Sequence, residues 1–314
     1  MIEDLKIGVA GIGAIGRNHV RVLSSLPGVK LAAVYDPDPA RAAEAAAASG
    51  AQAVATLEEL AALTEAVTVA APTVAHFEAG KLLLGLRRHV LIEKPLTDNA
   101  EQAWELVELA KKQGCVLQVG HVERFNPVMS VLESSLSEPR FIEAHRLSPF
   151  PNRSIDIGVV LDLMIHDIEI ILHLVKSPLA AVDAVGIPVL TRREDIANAR
   201  LKFANGAVAN LTASRISPEK LRKIRVFQSR AYLSLDYQAQ EGKIHRLTPQ
   251  GITVEDVQLE KDEPLKLELA AFADCVRHGT SPRVGGKEAA AALELAMEIT
   301  RIIEATPSGA SLSR

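Results

Sequence analysis

The sequence predicts two architectures in succession: an α/β part with a doubly wound parallel sheet, then an α+β part with an open, mostly antiparallel sheet. Three observations lead there. Strand and helix signals alternate over roughly the first 120 residues, the grammar of βαβ units. A glycine-rich turn follows the first strand signal. Beyond residue 120 strand signals succeed one another without helices between them, and Asn205-Gly206 separates two alternating runs, a strong hairpin signal.

In order, residues 5–11 (LKIGVAG) are a short apolar run ending in glycine, and 14–26 show helical spacing that stops at Pro27-Gly28. Residues 29–36 (VKLAAVYD) read as a buried strand ending in an acid, and 39–49 as an alanine-rich helix closed by Gly50. AVTVAAP (66–72) and HVLIEKP (89–95) are further strands, with a helix over 73–84 between them. Asp98 is placed to cap the next helix, with Glu101 as its capping-box partner; that helix runs to Lys111-Lys112, and 116–120 is the next strand. Residues 126–137 and 159–175 are helical. Strands follow over 196–215 and in KIRVFQS, AYLSLDY and GKIHRLT, and Ala/Leu-rich helices around 264–278 and 286–304 close the chain. The predicted domains are 1–120 and 121–314, with the last helices able to pack back on the first domain.

Composition narrows the function. A chain of 314 residues has room for two domains with substantial cores. With 48% hydrophobic and 24% charged residues, disorder is excluded as the dominant state. Lys plus Arg is 35 against 39 for Asp plus Glu, a balance that argues against a nucleic-acid partner. Aromatics are so few, with Trp104 the single tryptophan, that the cores must be built from Ala, Val, Leu and Ile. Cys115 and Cys275 stand far apart with no CxxC, which argues against a disulfide framework or a cysteine zinc site and for a reducing cytoplasm. No signal-peptide pattern and no apolar run of ~18 residues is visible, so no membrane partner is expected.

Gly11-Ile-Gly13-Ala-Ile15-Gly16 fits G-x-G-x-x-G between a strand and a helix. The first glycine permits the tight turn, the second lets backbone approach a pyrophosphate, and the third lets helix and strand pack closely. Asp36, twenty residues after Gly16, suits the ribose hydroxyls of an adenosine and repels a 2′-phosphate, so NAD is the expected cofactor. Ile92-Glu93-Lys94-Pro95 closes a buried strand; a lysine there either stabilises an alkoxide or is a surface charge. Asp162 and His166 share one face if helical, so the carboxylate can orient the imidazole as a general base; a satisfied structural pair is the alternative. No further Cys or His cluster completes a metal shell, so no metal is expected.

Together, Gly11 to His19 (G-x-G-x-x-G-x-x-H), E-K-P at 93–95 and D-x-x-x-H at 162–166 resemble the glucose–fructose oxidoreductase/inositol dehydrogenase/MocA (Gfo/Idh/MocA) family across essentially the whole chain. The resemblance implies a Rossmann domain followed by an α+β domain, and a Lys94-Pro95 bond able to be cis. It implies that Lys94 meets substrate and nicotinamide, that His166 is the base with Asp162 positioning it, and that Ile15, Thr73, His76, Glu93 and Pro95 stand with the glycines and Asp36 at cofactor positions. Met164 departs from the family's usual D-x-G-x-H. Gly120-His121-Val-Glu-Arg124-Phe-Asn126-Pro127 with Asp162-Leu-Met-Ile-His-Asp167 is instead similar to the UDP-N-acetylglucosamine 3-dehydrogenases of that family. That likeness implies oxidation of a UDP-sugar 3-hydroxyl, with an aminotransferase taking the product towards lipid A. His121, Arg124, Asn126, Arg153 and Arg215 are then candidate substrate ligands, as is Arg146. Each arginine is alternatively a surface charge, and Asn126 alternatively a helix cap. A dehydrogenase of another sugar or inositol, or a non-catalytic NAD-dependent sugar sensor, remains open. A homodimer or homotetramer is implied by the uncovered sheet face.

Overall fold

The computed structural model describes residues 3–150 and 157–305. Described residues up to Phe125, together with Asp262–Ala291, form one unit; Asn126–Lys261 and the described residues from Ala292 onward form the other.

In the first unit β1 (Leu5–Ala10), α1 (Ala14–Leu23), β2 (Val29–Tyr35), α2 (Pro39–Ser49), β3 (Gln52–Val54), α3 (Leu57–Leu63), β4 (Ala66–Val69), α4 (His76–Gly85), β5 (His89–Glu93), α5 (Ala100–Gln113) and β6 (Leu117–Gly120) follow one another. The six strands form one sheet in the order β3-β2-β1-β4-β5-β6, with every pair parallel. That is the doubly wound order in which the chain reverses direction between β1 and β4, where ligands bind at the carboxyl ends of the strands. Continuous burial of Ala66–Val69 and Leu117–Gly120 fits strands covered on both faces.

Two details differ from the sequence expectation. The cap of α5 is Asn99, whose Oδ1 accepts from Gln102 N at 2.9 Å, so the helix starts one residue later than Asp98 would place it. β3 and α3 carry no long periodic signal. Their local cue is Thr56-x-x-Glu59: Thr56 Oγ1 accepts from Glu59 N at 3.1 Å and Glu59 Oε2 accepts from Ala55 N at 2.8 Å.

The second unit runs α6 (Pro127–Ser135), β7 (Pro139–Leu147), a π-helical turn (Val160–Met164) continuing into α7 (Ile165–Val175), then β8 (Leu179–Ile187), β9 (Ile196–Phe203), β10 (Val208–Ser214), β11 (Leu221–Gln228), β12 (Ala231–Asp236), β13 (Glu241–Thr248) and β14 (Gly251–Asp256). Its eight strands are ordered β14-β13-β12-β11-β7-β10-β9-β8; β7 and β10 pair parallel and the other pairs are antiparallel. The Asn205-Gly206 turn joins β9 to β10, with Gly206 at φ 83°. Register explains the two faces. Ala199, Leu211, Ala144, Ile224 and Leu235 lie side by side on one face and are buried. One residue along, Asn198, Thr212, His145, Lys223 and Asp236 lie side by side on the other.

After the second sheet, α8 (Pro264–His278) returns to the first unit. Its Leu269, Phe272 and Ala273 complete a core with Leu5, Ile7, Val9, Val20, Leu23 and Leu31. α9 (Gly286–Ala305) begins in the first unit and ends in the second.

Candidate active site

The glycine turn is fixed by close backbone approach. Gly11 has φ 89°, and a Cβ there would stand 2.7 Å from Ala71 N, at the end of β4. A Cβ on Gly16 would stand 1.8 Å from Gly11 O, so no larger residue lets α1 cross the turn this closely. Gly13 meets nothing within 4 Å of where its Cβ would be. It caps α1 without a side chain, so no side chain occupies the helix N-terminus, where an anionic group is favoured. Ile15, on the first turn, is 40% exposed.

Asp36 is buried and holds this turn to β2. Its Oδ2 accepts from Ile12 N at 2.6 Å and its Oδ1 from Asp38 N at 2.9 Å. Each carboxylate oxygen keeps a second lone pair for a ligand hydroxyl. A cavity of about 1010 Å³ opens here, lined by residues that include Gly11, Gly13, Asp36, Arg41, Ala71 and Pro72. Those donors, that carboxylate and that space fit the adenosine and diphosphate of NAD. Arg41 faces the same cavity while pairing with Asp38 at 3.3 Å.

The E-K-P turn lies at the end of β5, and its Lys94-Pro95 bond is cis. Glu93 Oε1 receives a hydrogen bond from His19 Nε2 at 3.1 Å, so the buried histidine of the glycine motif is paired with the half-buried acid of E-K-P. Thr73 opens a short 3-10 turn that leads into α4. His76, at the start of α4, is buried: its Nδ1 lies 2.9 Å from Pro95 O and its Nε2 2.9 Å from Ala71 O. It ties the E-K-P turn to the loop after β4. Lys94 is half-buried. His121 and Arg124, at and after the end of β6, are almost wholly buried.

In the second unit the helical segment expected over 159–175 is a π turn, which carries Asp162, continuing into α7, which carries His166. Both Asp162 and His166 are half-buried, while Met164, Ile165, Asp167 and Ile168 between and after them are buried. Asn126 caps α6, its Oδ1 accepting from Val128 N at 3.2 Å, and its Nδ2 donates to Tyr237 O at 2.9 Å. Arg146 is engaged bidentately with Asp167, Nε to Oδ2 at 2.9 Å and Nη2 to Oδ1 at 3.0 Å.

Arg215 is wholly buried against the equally buried Asp195. It donates through Nε to Asp195 Oδ1 at 2.9 Å, through Nη1 to Ile157 O at 2.8 Å and through Nη2 to Thr191 Oγ1 at 3.0 Å. Those bonds clasp the β8–β9 turn to the stretch leading from β10 to β11 and to Ile157, and Arg215 is neither exposed nor a simple surface charge. Asp195 also accepts from the backbone N–H groups of Val189, Leu190 and Thr191. Burial alone would raise its pKa. The backbone donors, strongest at Leu190 and Thr191, and the Arg215 guanidinium overcome that and hold it far below the usual carboxylate range. Arg153 lies outside the described residues. Among the described residues no group of three or more His, Cys, Asp or Glu side chains could hold a metal ion.

Residues 5–121 match the model of an oxidoreductase family with an NAD-binding Rossmann fold, and residues 131–234 match the GFO/IDH/MocA C-terminal domain. The chain belongs to the Gfo/Idh/MocA oxidoreductase family. It is 34% identical over 310 residues to UDP-N-acetylglucosamine 3-dehydrogenase of Acidithiobacillus ferrooxidans, covering 96% of this chain and 98% of that one. A solved structure of that enzyme superposes with a TM-score of 0.92 over 97% of this chain and 99% of its own. Scyllo-inositol 2-dehydrogenase (NAD(+)) of Bacillus subtilis is 26% identical, covering 96% and 94%. Levoglucosan dehydrogenase in complex with NADH and levoglucosan, at 18% identity and a TM-score of 0.86 over 96% and 97%, shares the fold. The chain is an NAD-dependent oxidoreductase with a Rossmann domain.

Proposed function

We propose that this protein oxidises the 3-hydroxyl of UDP-N-acetylglucosamine to a ketone. The observation that carries the reading is the end-to-end likeness to the Acidithiobacillus ferrooxidans enzyme, which includes both units.

NAD, when bound, supplies the hydride acceptor. The Gly11–Gly16 turn and the first turn of α1 hold its diphosphate with backbone N–H groups, and Asp36 accepts from its ribose. Glu93, locked by His19, and His76, fastened to Ala71 and Pro95, hold the E-K-P turn so that Lys94 presents its ammonium to the oxygen that gains charge. Asp162 orients His166, which takes the hydroxyl proton. The imidazole and the lysine divide the work: one removes the proton and the other stabilises the oxyanion left behind.

We assign the 3-oxo product to an aminotransferase, and through it to lipid A synthesis. We place the protein in the cytoplasm, in keeping with its free thiols Cys115 and Cys275. No helix among the described residues is long and apolar enough to cross a membrane. The outer face of the second sheet is assigned to a homo-oligomer contact.

The test is a spectrophotometric assay with NAD and a panel of UDP-sugars and free sugars, with a ketone trap because the oxidation runs uphill. Absorbance at 340 nm rises with UDP-N-acetylglucosamine, and UDP alone competes. Silence with every UDP-sugar, or turnover of inositol untouched by UDP, defeats the assignment.

A further inference from the structure

The turn between β8 and β9 ends in two buried acids, Glu194 and Asp195. Asp195 is the partner of Arg215, and through Arg215 Nη1 the pair reaches Ile157 O. The turn is thereby fastened to the stretch that leads into the π turn.

Glu194 uses that fixed position. Its carbonyl accepts from Val159 N at 3.1 Å and its Oε1 from Val160 N at 3.3 Å. These are among the N–H groups that a helix start leaves without internal partners, and a carboxylate is favoured there by the helix dipole as well. The fit depends on Gly158, where a Cβ would stand 1.8 Å from Glu194 Oε1. Asp162 follows two residues after Val160 and His166 six residues after it. The segment is thus held at its start by Glu194 and again beside His166 by the Arg146–Asp167 pair.

We propose that Glu194 is a positioning residue for the oxidation: by anchoring the first turn of the segment that carries Asp162 and His166, it sets where both side chains stand. This rests on the reading of His166 as the base. A π turn makes such an anchor necessary, because its looser backbone bonding does not fix the offset between residues four apart as an α-helix does.

The experiment compares Glu194→Ala, Glu194→Gln and His166→Ala in the full chain, measuring kcat and KM for UDP-N-acetylglucosamine, KM for NAD, and Tm. Glu194→Ala lowers kcat about ten- to a hundredfold, as small misplacements of catalytic groups do, and leaves KM for NAD within about twofold. Glu194→Gln keeps the Oε1 acceptor and restores most of kcat. Should Glu194→Ala fail to fold, Gly158→Ala displaces the carboxylate while keeping it in the chain, and the same split in kcat is expected. A Glu194→Ala kcat within about twofold of the parent beside an inactive His166→Ala overturns the positioning role alone. So does a Glu194→Gln as slow as Glu194→Ala. A His166→Ala with parental turnover removes the base assignment, and the inference with it.

Discussion

Glu268 is wholly buried on α8, and neither of its carboxyl oxygens meets a hydrogen-bond partner among the described residues. Burial, and then the charge of Glu93, push its pKa well above the ordinary carboxylate value. Glu268 therefore keeps its proton to a higher pH than a solvated carboxyl does. The sign of the resulting pH effect follows. Near pH 4 both folded and unfolded chains hold the Glu268 proton, and the group costs nothing. As pH rises, the unfolded chain releases it first, so the folded state binds more protons and loses stability up to the raised pKa. Glu268→Gln removes that slope. In urea titrations at pH 5 and pH 8 the variant gains stability relative to the parent as pH rises; equal differences at both pH values refute the neutral-acid assignment. Asp36 carries a prediction of another kind. It receives two backbone N–H groups that shape the glycine turn, and hydrogen bonds to a charged group contribute about 1.5–3 kcal/mol each. Asp36→Ala therefore raises KM for NAD at least about tenfold and narrows the preference over NADP, read from initial rates with each cofactor.

At the scale of elements, the nucleotide-binding turn tolerates no added volume at its third glycine. A Cβ at Gly16 collides with the Gly11 carbonyl, and neither is the end of a flexible side chain. Gly16→Ala must therefore push α1 away from the end of β1. Overpacking of this kind costs about 1–3 kcal/mol, and NAD affinity falls because the first-turn N–H groups leave their place; Tm and a fluorescence titration with NADH measure the two effects. What the sequence made legible follows from the same reasoning. The glycine turn, E-K-P and the Asp162–His166 segment could be read because ligand chemistry sets residue type at fixed local spacing. Long periodic helices such as α8 and α9 could be read for the same reason of locality. β3 was missed because a three-residue edge strand with one buried side chain carries no pattern. Arg215, Asp195 and Glu194 were illegible because their roles depend on contacts twenty or more residues away. On sequence alone, Arg215 reads either as a surface charge or as a candidate diphosphate ligand, and its buried pairing with Asp195 is not visible. Nor did the helical pattern of α8 reveal that its Glu268 stands beside Glu93, which is 175 residues earlier in the chain.

At the scale of the whole molecule, the homo-oligomer contact proposed above falls on the outer face of the second sheet. Phe141, Phe227, Tyr232 and His245 stack across four adjacent strands, with Val254 next in register. Beside that row runs one with two ion pairs either side of Ser234: Glu143 pairs with Arg225 and Lys243 with Asp256. β14, at the sheet edge, leaves Ile252 75% and Val254 54% exposed, and Leu247 opposite Ile252 is 53% exposed. An edge strand with a bare apolar side is a hazard unless something covers it. Opposite charges set side by side also suit a twofold contact, where the same patch faces itself and each acid can find a base. Reversing this chemistry at the edge tests the assignment. Ile252→Lys combined with Val254→Lys places like charges where two copies would meet. In multi-angle light scattering the parent elutes at a multiple of 33.7 kDa and the double variant shifts to the single-chain mass, with the NAD affinity of the first unit unchanged. A parent that already runs as a single chain at micromolar concentration, or a double variant that keeps the parent's mass, overturns the contact. Both substitutions are on exposed positions of one strand, so their cost to folding is within about 0.5 kcal/mol, and a lost assembly reports the interface rather than the fold.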